Sequence, residues 1–116
     1  DPQARETFDS AKLRWQERGE GEHARMLAWY STLIGLRRAH PELRDPRLGD
    51  VEVEIVDPDT VTMRRGPYLI ASTRAGSRVE VCHGTEVVAA WDPAHLEDGV
   101  LTLPGAGAAV LLLPTG

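Results

Sequence analysis

The spacing of apolar residues changes once along this chain, and the change is the strongest constraint on its fold. Before Pro41 the apolar residues recur with the period of about 3.6 that is typical of an α-helix. After Asp50 they alternate with polar residues, as in half-buried β-strands. The chain has 116 residues, which is enough for about one domain. The sequence therefore predicts one long helix followed by a β-domain.

The predicted helix covers residues 22–40 and ends before Pro41, because proline forces the preceding residue out of helical geometry. Arg37 falls near the middle of the apolar arc, so we expect it to pair with a carboxylate or with carbonyl groups at the helix end. The large apolar residues fill about half of the circumference at 100° per residue: Met26, Leu27, Trp29, Tyr30, Leu33, Ile34 and Leu36.

The opposite face of this helix carries small residues where a solvated face usually carries Glu and Lys. These residues are Ala24, Ala28, Ser31, Gly35 and Ala39. Two interpretations remain open. Small residues are good helix formers, so the face can simply be exposed. Alternatively the helix is covered on two sides, once by this chain and once by something outside it; Gly35 costs about 1 kcal/mol relative to Ala, which favours a packing reason.

The second half of the chain reads as short strands separated by turn signals. In the first strand Val51, Val53 and Ile55 alternate with glutamates, which predicts apolar side chains facing the core and a wet glutamate face. The segment 92–99 is predicted to be a loop, and the last two strands are predicted to form a hairpin. The seven predicted strands cover residues 51–56, 61–65, 68–73, 78–82, 86–91, 100–103 and 108–113.

The predicted fold class is therefore mostly β. It is an antiparallel β-sandwich of about seven short strands, preceded by one long α-helix and an irregular N-terminal segment. Strand order within such a sandwich cannot be read from one sequence.

Charge and cysteine content exclude several classes of partner. The net charge is −5 and no basic stripe is present, so we expect no nucleic acid and no membrane as partner. No apolar run approaches the roughly 18 residues of a membrane span. The single cysteine, Cys82, cannot form an internal disulfide, so a reducing compartment and a cytoplasmic location are expected.

The sequence contains no motif for a nucleophilic serine, a zinc-binding helix, a phosphate loop, a dinucleotide site or a redox cysteine pair. Cys82 and His83 are adjacent at the end of a predicted strand, and adjacent strand residues point to opposite faces, so they do not share a metal easily. Asp57 and Asp59 flank a turn proline, and His95 lies in an acidic loop without a nucleophile. We therefore expect no catalytic residue, no metal and no cofactor.

Two stretches carry a resemblance to a known family. The string "HARMLAWYSTLIGLRRAHPEL" (23–43) is similar to the last barrel helix of α-amylase-type glycoside hydrolases. The preceding "TF" and "SAKLRW" (7–8 and 10–15) and the closing "LTLPGAGAAVLLL" (101–113) resemble the malto-oligosyltrehalose trehalohydrolase family. The resemblance covers nearly the whole chain.

This resemblance implies that residues 1–43 are the end of a catalytic barrel, comprising a loop segment and the last helix, and that 44–116 form a C-terminal β-sandwich. The partner would be the catalytic (β/α)8 barrel of the parent chain, reached by docking residues on the helix. The residues expected to dock are Trp29, Tyr30, Leu33, Leu36 and Arg37.

No enzymatic activity is expected of the chain itself. A barrel needs about 200 residues or more, and the Asp nucleophile and Glu acid of such enzymes have no matching motif here. The resemblance implies a parent that hydrolyses the α-1,4 bond of maltooligosyl trehalose and releases trehalose, in trehalose biosynthesis. A maltooligosaccharide-type substrate would be contacted through the parent.

Two other functions remain open. One is a maltooligosaccharide-binding module, for which Trp91 could offer an aromatic platform, although a Trp at a strand end is more often part of the core. The other is a free-standing interaction domain whose small-residue helix face binds a partner helix or itself. Self-association of an isolated fragment is expected, because its barrel-facing surface would be exposed.

Overall fold

The structure is a computed structural model and describes residues 5, 16, 19–47, 49 and 51–115. The irregular N-terminal segment predicted from the sequence lies almost wholly outside these residues. The elements that the structure defines are α1 (Gly21–Ala39), a 3-10 turn (Pro41–Leu43), β1 (Val51–Asp57), β2 (Thr60–Arg65), β3 (Tyr68–Thr73), β4 (Ser77–Glu80), β5 (Glu86–Ala90), β6 (His95–Glu97), β7 (Val100–Leu103) and β8 (Gly107–Leu112).

Helix α1 begins and ends within one residue of the predicted bounds. Glu22 lies in its first turn and contacts Arg25 at 3.8 Å, while Arg37 and Arg38 lie in the last turn, so the end charges complement the helix dipole. His40 is extended, with φ −126° and ψ 103°, as the following proline requires. Among the described helices, none is long and apolar enough to cross a membrane.

The chain divides inside α1 into two compact units, residues 1–31 and 32–116. The first unit contains the first half of the helix. The second contains its second half, the 3-10 turn and every described strand. The domain boundary expected near residue 43 stays a prediction.

All strand pairs are antiparallel and belong to two sheets. The five-stranded sheet has the order β1-β2-β3-β8-β5, and the three-stranded sheet has the order β4-β7-β6. This confirms the predicted mostly-β antiparallel architecture. Two details differ: β6 lies in the segment predicted as a loop, and β7 and β8 are in different sheets, so they are not the predicted hairpin.

The core lies between the two sheets. It is built from small and aliphatic side chains: Ala71, Val79, Leu101, Leu103, Ala109 and Leu111. Leu101 and Leu111 are both 0% exposed, and each buried aliphatic side chain of this size stabilises the fold by about 1.5–3 kcal/mol. The core therefore joins β3 and β8 of one sheet to β4 and β7 of the other.

The side-chain orientation predicted for β1 is wrong. Val53 and Ile55 are 63% and 78% exposed, although the alternation predicted that they face the core. Glu54 instead shares the inner face with Thr62 and Ala71, since these residues are paired across β1, β2 and β3. The reason is the width of the opposing sheet: its three strands cover the centre of the five-stranded sheet and leave the inner side of β1 open.

Buried polar groups at the end of β3 are bonded to one another and to a turn. The hydroxyl of Thr60 donates to the hydroxyl of Thr73 at 2.8 Å, and Thr73 Oγ1 also accepts from the amides of Ala75 and Gly76 at 3.3 and 3.0 Å. Gly76 has φ +97°, and an added Cβ would lie 2.9 Å from the carbonyl oxygen of Leu103. This turn therefore requires glycine.

Candidate interdomain docking surface

The five residues predicted to dock lie on α1, on two adjacent faces that differ in exposure. Trp29, Leu33 and Leu36 recur at i, i+4 and i+7, so they share one face, and all three are half-buried. Tyr30 and Arg37 are also seven residues apart and lie on a neighbouring face, where both are exposed. No described residue of α1 is fully buried.

The exposed face of α1 is apolar. Met26, Leu27, Tyr30 and Ile34 are 44%, 48%, 57% and 50% exposed. At 100° per residue their side chains fall within about 60° of Tyr30, so they form one continuous surface. Exposed apolar patches of this kind are typical of protein–protein contact sites.

Arg37 does not make the pairing predicted for it. Its side chain is exposed, and it has no hydrogen bond or ion pair to any residue that the structure describes. The helix-end carbonyl is reached from the following turn instead, where Arg44 Nη1 donates to the carbonyl oxygen of Arg38 at 3.1 Å. Arg37 lies among the exposed apolar residues of the helix.

The small-residue face of α1 is exposed at Ala28, Ser31, Gly35 and Ala39. A Cβ added at Gly35 would meet no described atom within 4 Å. The described residues of α1 are half-buried or exposed, so both interpretations of the small-residue face stay open. A packing reason for Gly35 is not found within the described residues.

The junction between α1 and the sheet is held by a tyrosine and a histidine. The Tyr68 hydroxyl and His40 Nδ1 are hydrogen-bonded at 2.6 Å, and the two ring centroids are 4.8 Å apart. Tyr68 is 3% exposed. Burial raises the pKa of Tyr68, and the negative charge of Glu42 raises it further. The segment after α1 is thus anchored to β3.

The β2–β3 turn is shaped to admit the side chain of Glu42. Gly66 in that turn has φ +55°, and a Cβ added there would lie 2.8 Å from Glu42 Cγ and 3.0 Å from Glu42 Cβ. Any larger residue at Gly66 would be strained in its backbone and would also press on the glutamate. The tight approach keeps the 3-10 turn close to the sheet.

An arginine next to that turn binds the same incoming segment. Arg65 donates through Nη1 to the carbonyl oxygen of Leu43 at 3.2 Å and through Nη2 to the carbonyl oxygen of Asp45. Because the guanidinium is planar and carries several fixed donors, one side chain can bind two carbonyl groups. The His40 and Arg65 contacts together fix residues 40–45 on the sheet.

After the 3-10 turn, Asp45 and Arg47 form an ion pair. Arg47 Nη2 and Asp45 Oδ2 are 2.6 Å apart, and the backbone amide of Arg47 donates to Asp45 Oδ1 at 3.0 Å. These hydrogen bonds from Arg47 are the main cause that lowers the pKa of Asp45 to about 2. Asp45 is therefore ionised at neutral pH and holds the side chain and the backbone amide of Arg47.

The outer face of the five-stranded sheet carries an apolar row that includes Val53, which the sequence analysis assigned to the core. The strand registers place Val53, Met63, Ile70, Val110 and Ala89 side by side across all five strands. Val53 is 63% exposed, Met63 and Ile70 are half-buried, and Val110 and Ala89 are only 5% and 9% exposed. One end of this row is thus covered, and the other is open.

A second row extends the open end. Ile55 and Val61 are paired across β1 and β2 and are 78% and 40% exposed. Arg65 and Tyr68 are paired across β2 and β3 and point to this same outer face. We name the three side chains Val53, Ile55 and Val61 the sheet patch. The sheet patch lies on the same face of the sheet as Arg65 and Tyr68, which bind the segment that follows α1.

The residues considered for chemistry are spread apart or have structural partners. Asp57 Oδ2 accepts from the Ser77 hydroxyl at 2.6 Å, and this bond is the main cause that lowers the pKa of Asp57. Asp59 is paired with Arg74 at 2.6 Å. Within the part of the chain that the structure describes, no three His, Cys, Asp or Glu side chains are grouped as metal ligands.

The remaining candidates are Cys82, His83, His95 and Trp91. Cys82 is exposed and follows the end of β4, with His83 in the next turn. His95 is exposed on β6 and not in a loop. Trp91 is half-buried after β5.

Comparison with known proteins gives a consistent set of relatives. The chain is 37% identical over 112 residues to malto-oligosyltrehalose trehalohydrolase of Mycobacterium tuberculosis, 38% over 115 residues to that of Brevibacterium helvolum, and 41% over 115 residues to that of a Rhizobium species. Each match covers 96% of this chain and 19% of the relative. The chain therefore spans about a fifth of the length of these relatives.

Other comparisons are weaker. No family model matches the chain. Among solved structures, a trehalulose synthase variant is similar with TM-score 0.48 and 17% identity, over 72% of this chain and 17% of that enzyme. A second variant of the same synthase, in complex with glucose, gives TM-score 0.49 and 18% identity.

The sequence relatives place the chain among the glycoside hydrolases, as a match to their C-terminal portion. More particularly, it corresponds to the C-terminal portion of malto-oligosyltrehalose trehalohydrolases, as the resemblance indicated. The named relatives share the pattern over nearly the full chain, including both the helix and the sandwich.

Proposed function

We propose that this chain is the non-catalytic C-terminal part of a trehalohydrolase-type glycosidase and that it stabilises the catalytic (β/α)8 barrel of the same polypeptide. In this proposal residues 1–43 complete the barrel and residues 44–116 form the sandwich that packs on it. The parent would hydrolyse the α-1,4 bond of maltooligosyl trehalose and release trehalose. The location would be the cytoplasm.

The observation that carries the proposal is the uncovered apolar face of α1. Four large apolar side chains on that face are 44–57% exposed, whereas a helix packed on its own domain normally hides its apolar face. This exposure favours a partner outside the chain, and relatives roughly five times longer than this chain support a partner in the same polypeptide. Trp29, Tyr30, Leu33, Leu36 and Arg37 are the residues that we expect to make this contact.

The size of the natural gene product tests the proposal directly. An antibody against the chain, used on a blot of the source cells, should detect a band several times heavier than 12.7 kDa, enough for a barrel of about 250 residues. The product should then release trehalose from maltooligosyl trehalose. A band at 12.7 kDa would contradict the proposal.

Substitutions on α1 test the role of the helix. Tyr30→Ala should change the stability of the 116-residue chain by less than about 0.5 kcal/mol, because its side chain is exposed there. In the full-length product the same change should cost about 3 kcal/mol or more, as for a buried aromatic. Arg78→Ala, exposed on β4, is the matched control and should be neutral in both. Equal effects of Tyr30→Ala in the two proteins would show that the barrel does not cover it.

A further inference from the structure

A groove runs along the inner side of β1, where the opposing three-stranded sheet ends. Its volume is about 640 Å³, which is within the range of about 300–1,000 Å³ that is usual for small-molecule sites. Residues of β1, β2 and β3 line one side of it and the end of β4 lines the other. We propose that this groove binds a linear aliphatic amine with two or more ammonium groups. This inference goes beyond the proposed function and does not depend on it.

The first argument is a set of unpaired carboxylates. Glu52 and Glu54 of β1 and Glu80 at the end of β4 line the groove. All three are exposed, and none has a hydrogen bond or ion pair to any residue that the structure describes. A carboxylate only accepts hydrogen bonds and an ammonium group only donates them, so the groove and such a ligand are complementary.

The second argument is a buried hydroxyl group that lines the same groove. Thr62 is 5% exposed, and its hydroxyl has no hydrogen-bond partner among the described residues, unlike the buried hydroxyls of Thr60 and Thr73, which are bonded to each other. Within the described chain, only Thr85 Oγ1 is both enclosed and unbonded, so the oxygen of Thr62 is accessible from the groove. A buried polar group without a partner is costly, and an ammonium group of a ligand would satisfy it.

The third argument is the spacing of the charges, which favours several ammonium groups over one metal ion or a sugar. Glu52 and Glu54 are two residues apart on a strand, so their Cα atoms are roughly 7 Å apart, and Glu80 belongs to the other sheet. Among the described residues, no three ligating side chains are grouped for a metal ion. A polyol needs donors as well as acceptors, but Nε of Arg64 is already bonded to the carbonyl oxygen of Gly66 at 3.4 Å.

The fourth argument is the apolar lining, which suits the hydrocarbon part of such an amine. Leu69, Val81 and Leu113 line the groove and are half-buried. The methylene groups of the ligand can contact these side chains while its ammonium groups lie at the carboxylates, as the long side chain of lysine does on protein surfaces. Because β1 and β4 are edge strands of different sheets, a ligand held by both would join the two sheets at this end.

Protection of the native thiol tests the inference, because Cys82 is exposed and lines the groove. The rate at which a neutral methanethiosulfonate reagent modifies Cys82 is measured in the 116-residue chain at neutral pH. An ionic strength of about 0.15 M screens attraction between distant exposed charges. Spermidine is the probe, butylamine is the matched ligand with a single ammonium group, and maltose is the polyol control.

We expect spermidine to slow the modification of Cys82 at least threefold, with half of the effect at roughly 1 mM or below. Butylamine should need at least a tenfold higher concentration. Glu52→Gln combined with Glu54→Gln should weaken the binding of spermidine at least tenfold. The matched control, Glu86→Gln combined with Glu97→Gln, removes two exposed glutamates outside the groove and should change the affinity less than twofold.

Thr62→Val tests the buried hydroxyl, because it nearly keeps the shape of the side chain. It should weaken the binding of spermidine at least threefold without lowering the urea midpoint of unfolding, since no hydrogen bond is lost from the free chain.

Five outcomes would overturn the inference. Spermidine gives no protection, butylamine is equally effective, or Thr62→Val binds as the native chain does. Equal losses in the two double variants would mean attraction to the net charge alone, and protection by maltose would make the groove a polyol site.

Discussion

Replacing Tyr68 by Phe removes a single hydroxyl group from the junction between α1 and the sandwich and leaves the packing of the ring intact. The hydroxyl is bonded to His40 Nδ1 at 2.6 Å, on a ring that is 3% exposed. A hydrogen bond of this kind contributes about 0.5–1.5 kcal/mol net. His40 is only half-buried, so water can replace the lost partner, and we expect a loss of about 1 kcal/mol.

Urea unfolding at neutral pH measures this loss. For a protein of this size m is about 2 kcal/mol/M, so the midpoint should fall by about 0.5 M urea with m unchanged. Tyr30→Phe is the control, because Tyr30 is 57% exposed and should shift nothing measurable. A double-mutant cycle with His40→Ala isolates the pair. If the two changes are additive within about 0.3 kcal/mol, the hydroxyl does not anchor the junction.

Tyr68→Phe should also change how the stability of the chain depends on pH in the alkaline range. Burial, with the charge of Glu42, raises the pKa of Tyr68 above its ordinary value of 10.0. A group whose pKa is raised in the folded state stabilises the fold below its unfolded pKa, and this contribution is lost as pH rises through the folded pKa. The native chain should therefore lose more stability above pH 10 than Tyr68→Phe does. Parallel curves for the two proteins would count against the burial argument.

Three further changes test the sandwich. Leu101→Ala should destabilise the 116-residue chain by about 2–5 kcal/mol in urea unfolding, because it leaves a cavity among fully buried side chains; a loss below about 1 kcal/mol would mean that the site collapses freely. Gly76→Ala should lower the free energy of unfolding by more than about 1 kcal/mol, since it combines a positive φ with a backbone clash. Gly105→Ala is the control, because a Cβ added there has open space around it, and it should be close to neutral. Similar effects of the two changes would refute the steric reasoning. The Ser77 hydrogen bond lowers the pKa of Asp57, so the stabilisation from this bond is present above the unfolded-state pKa of Asp57 and is lost as pH falls through its folded-state pKa. Ser77→Ala should therefore weaken the dependence of stability on pH below about 4. An unchanged dependence at acid pH would contradict this.

The long-period features of the sequence were the most predictable. Residues 22–40 were expected to be helical and α1 covers Gly21–Ala39, because a proline and a sustained 3.6 period mark a helix from local information. The apolar run 68–73 was expected to be a strand, and β3 covers Tyr68–Thr73. Both predictions depend only on the residues themselves and their immediate neighbours.

The direction in which a strand faces was not predictable in β1. Alternation shows that one side is apolar, but the side that meets the core depends on where the second sheet ends. Val53 and Ile55 therefore face outward although their pattern resembles that of a core strand. A short strand such as β6, with three residues, also gives no usable period, so it was read as a loop.

The docking role of the α1 residues stays a prediction. The exposed apolar face of α1 is consistent with a helix that needs a partner, but the junction residues were not anticipated, because His40 and Tyr68 are far apart in the sequence. One available signal was Tyr68 itself. A tyrosine in an apolar strand needs a hydrogen-bond partner for its hydroxyl when it is buried, and the helix-ending histidine is a suitable one.

The strand order has a consequence for the synthesis of the protein. Strand β8 lies between β3 and β5, although four strands separate β3 from β8 along the chain. On the ribosome, β3 must wait with one open edge until β8 has emerged, which takes roughly a few seconds at ordinary translation rates. During that interval the apolar strand β3 (YLIAST) can pair with β2 but lacks its second neighbour, β8, and the core. Nascent chains that stall before β8 are therefore the forms most exposed to aggregation and to chaperone capture.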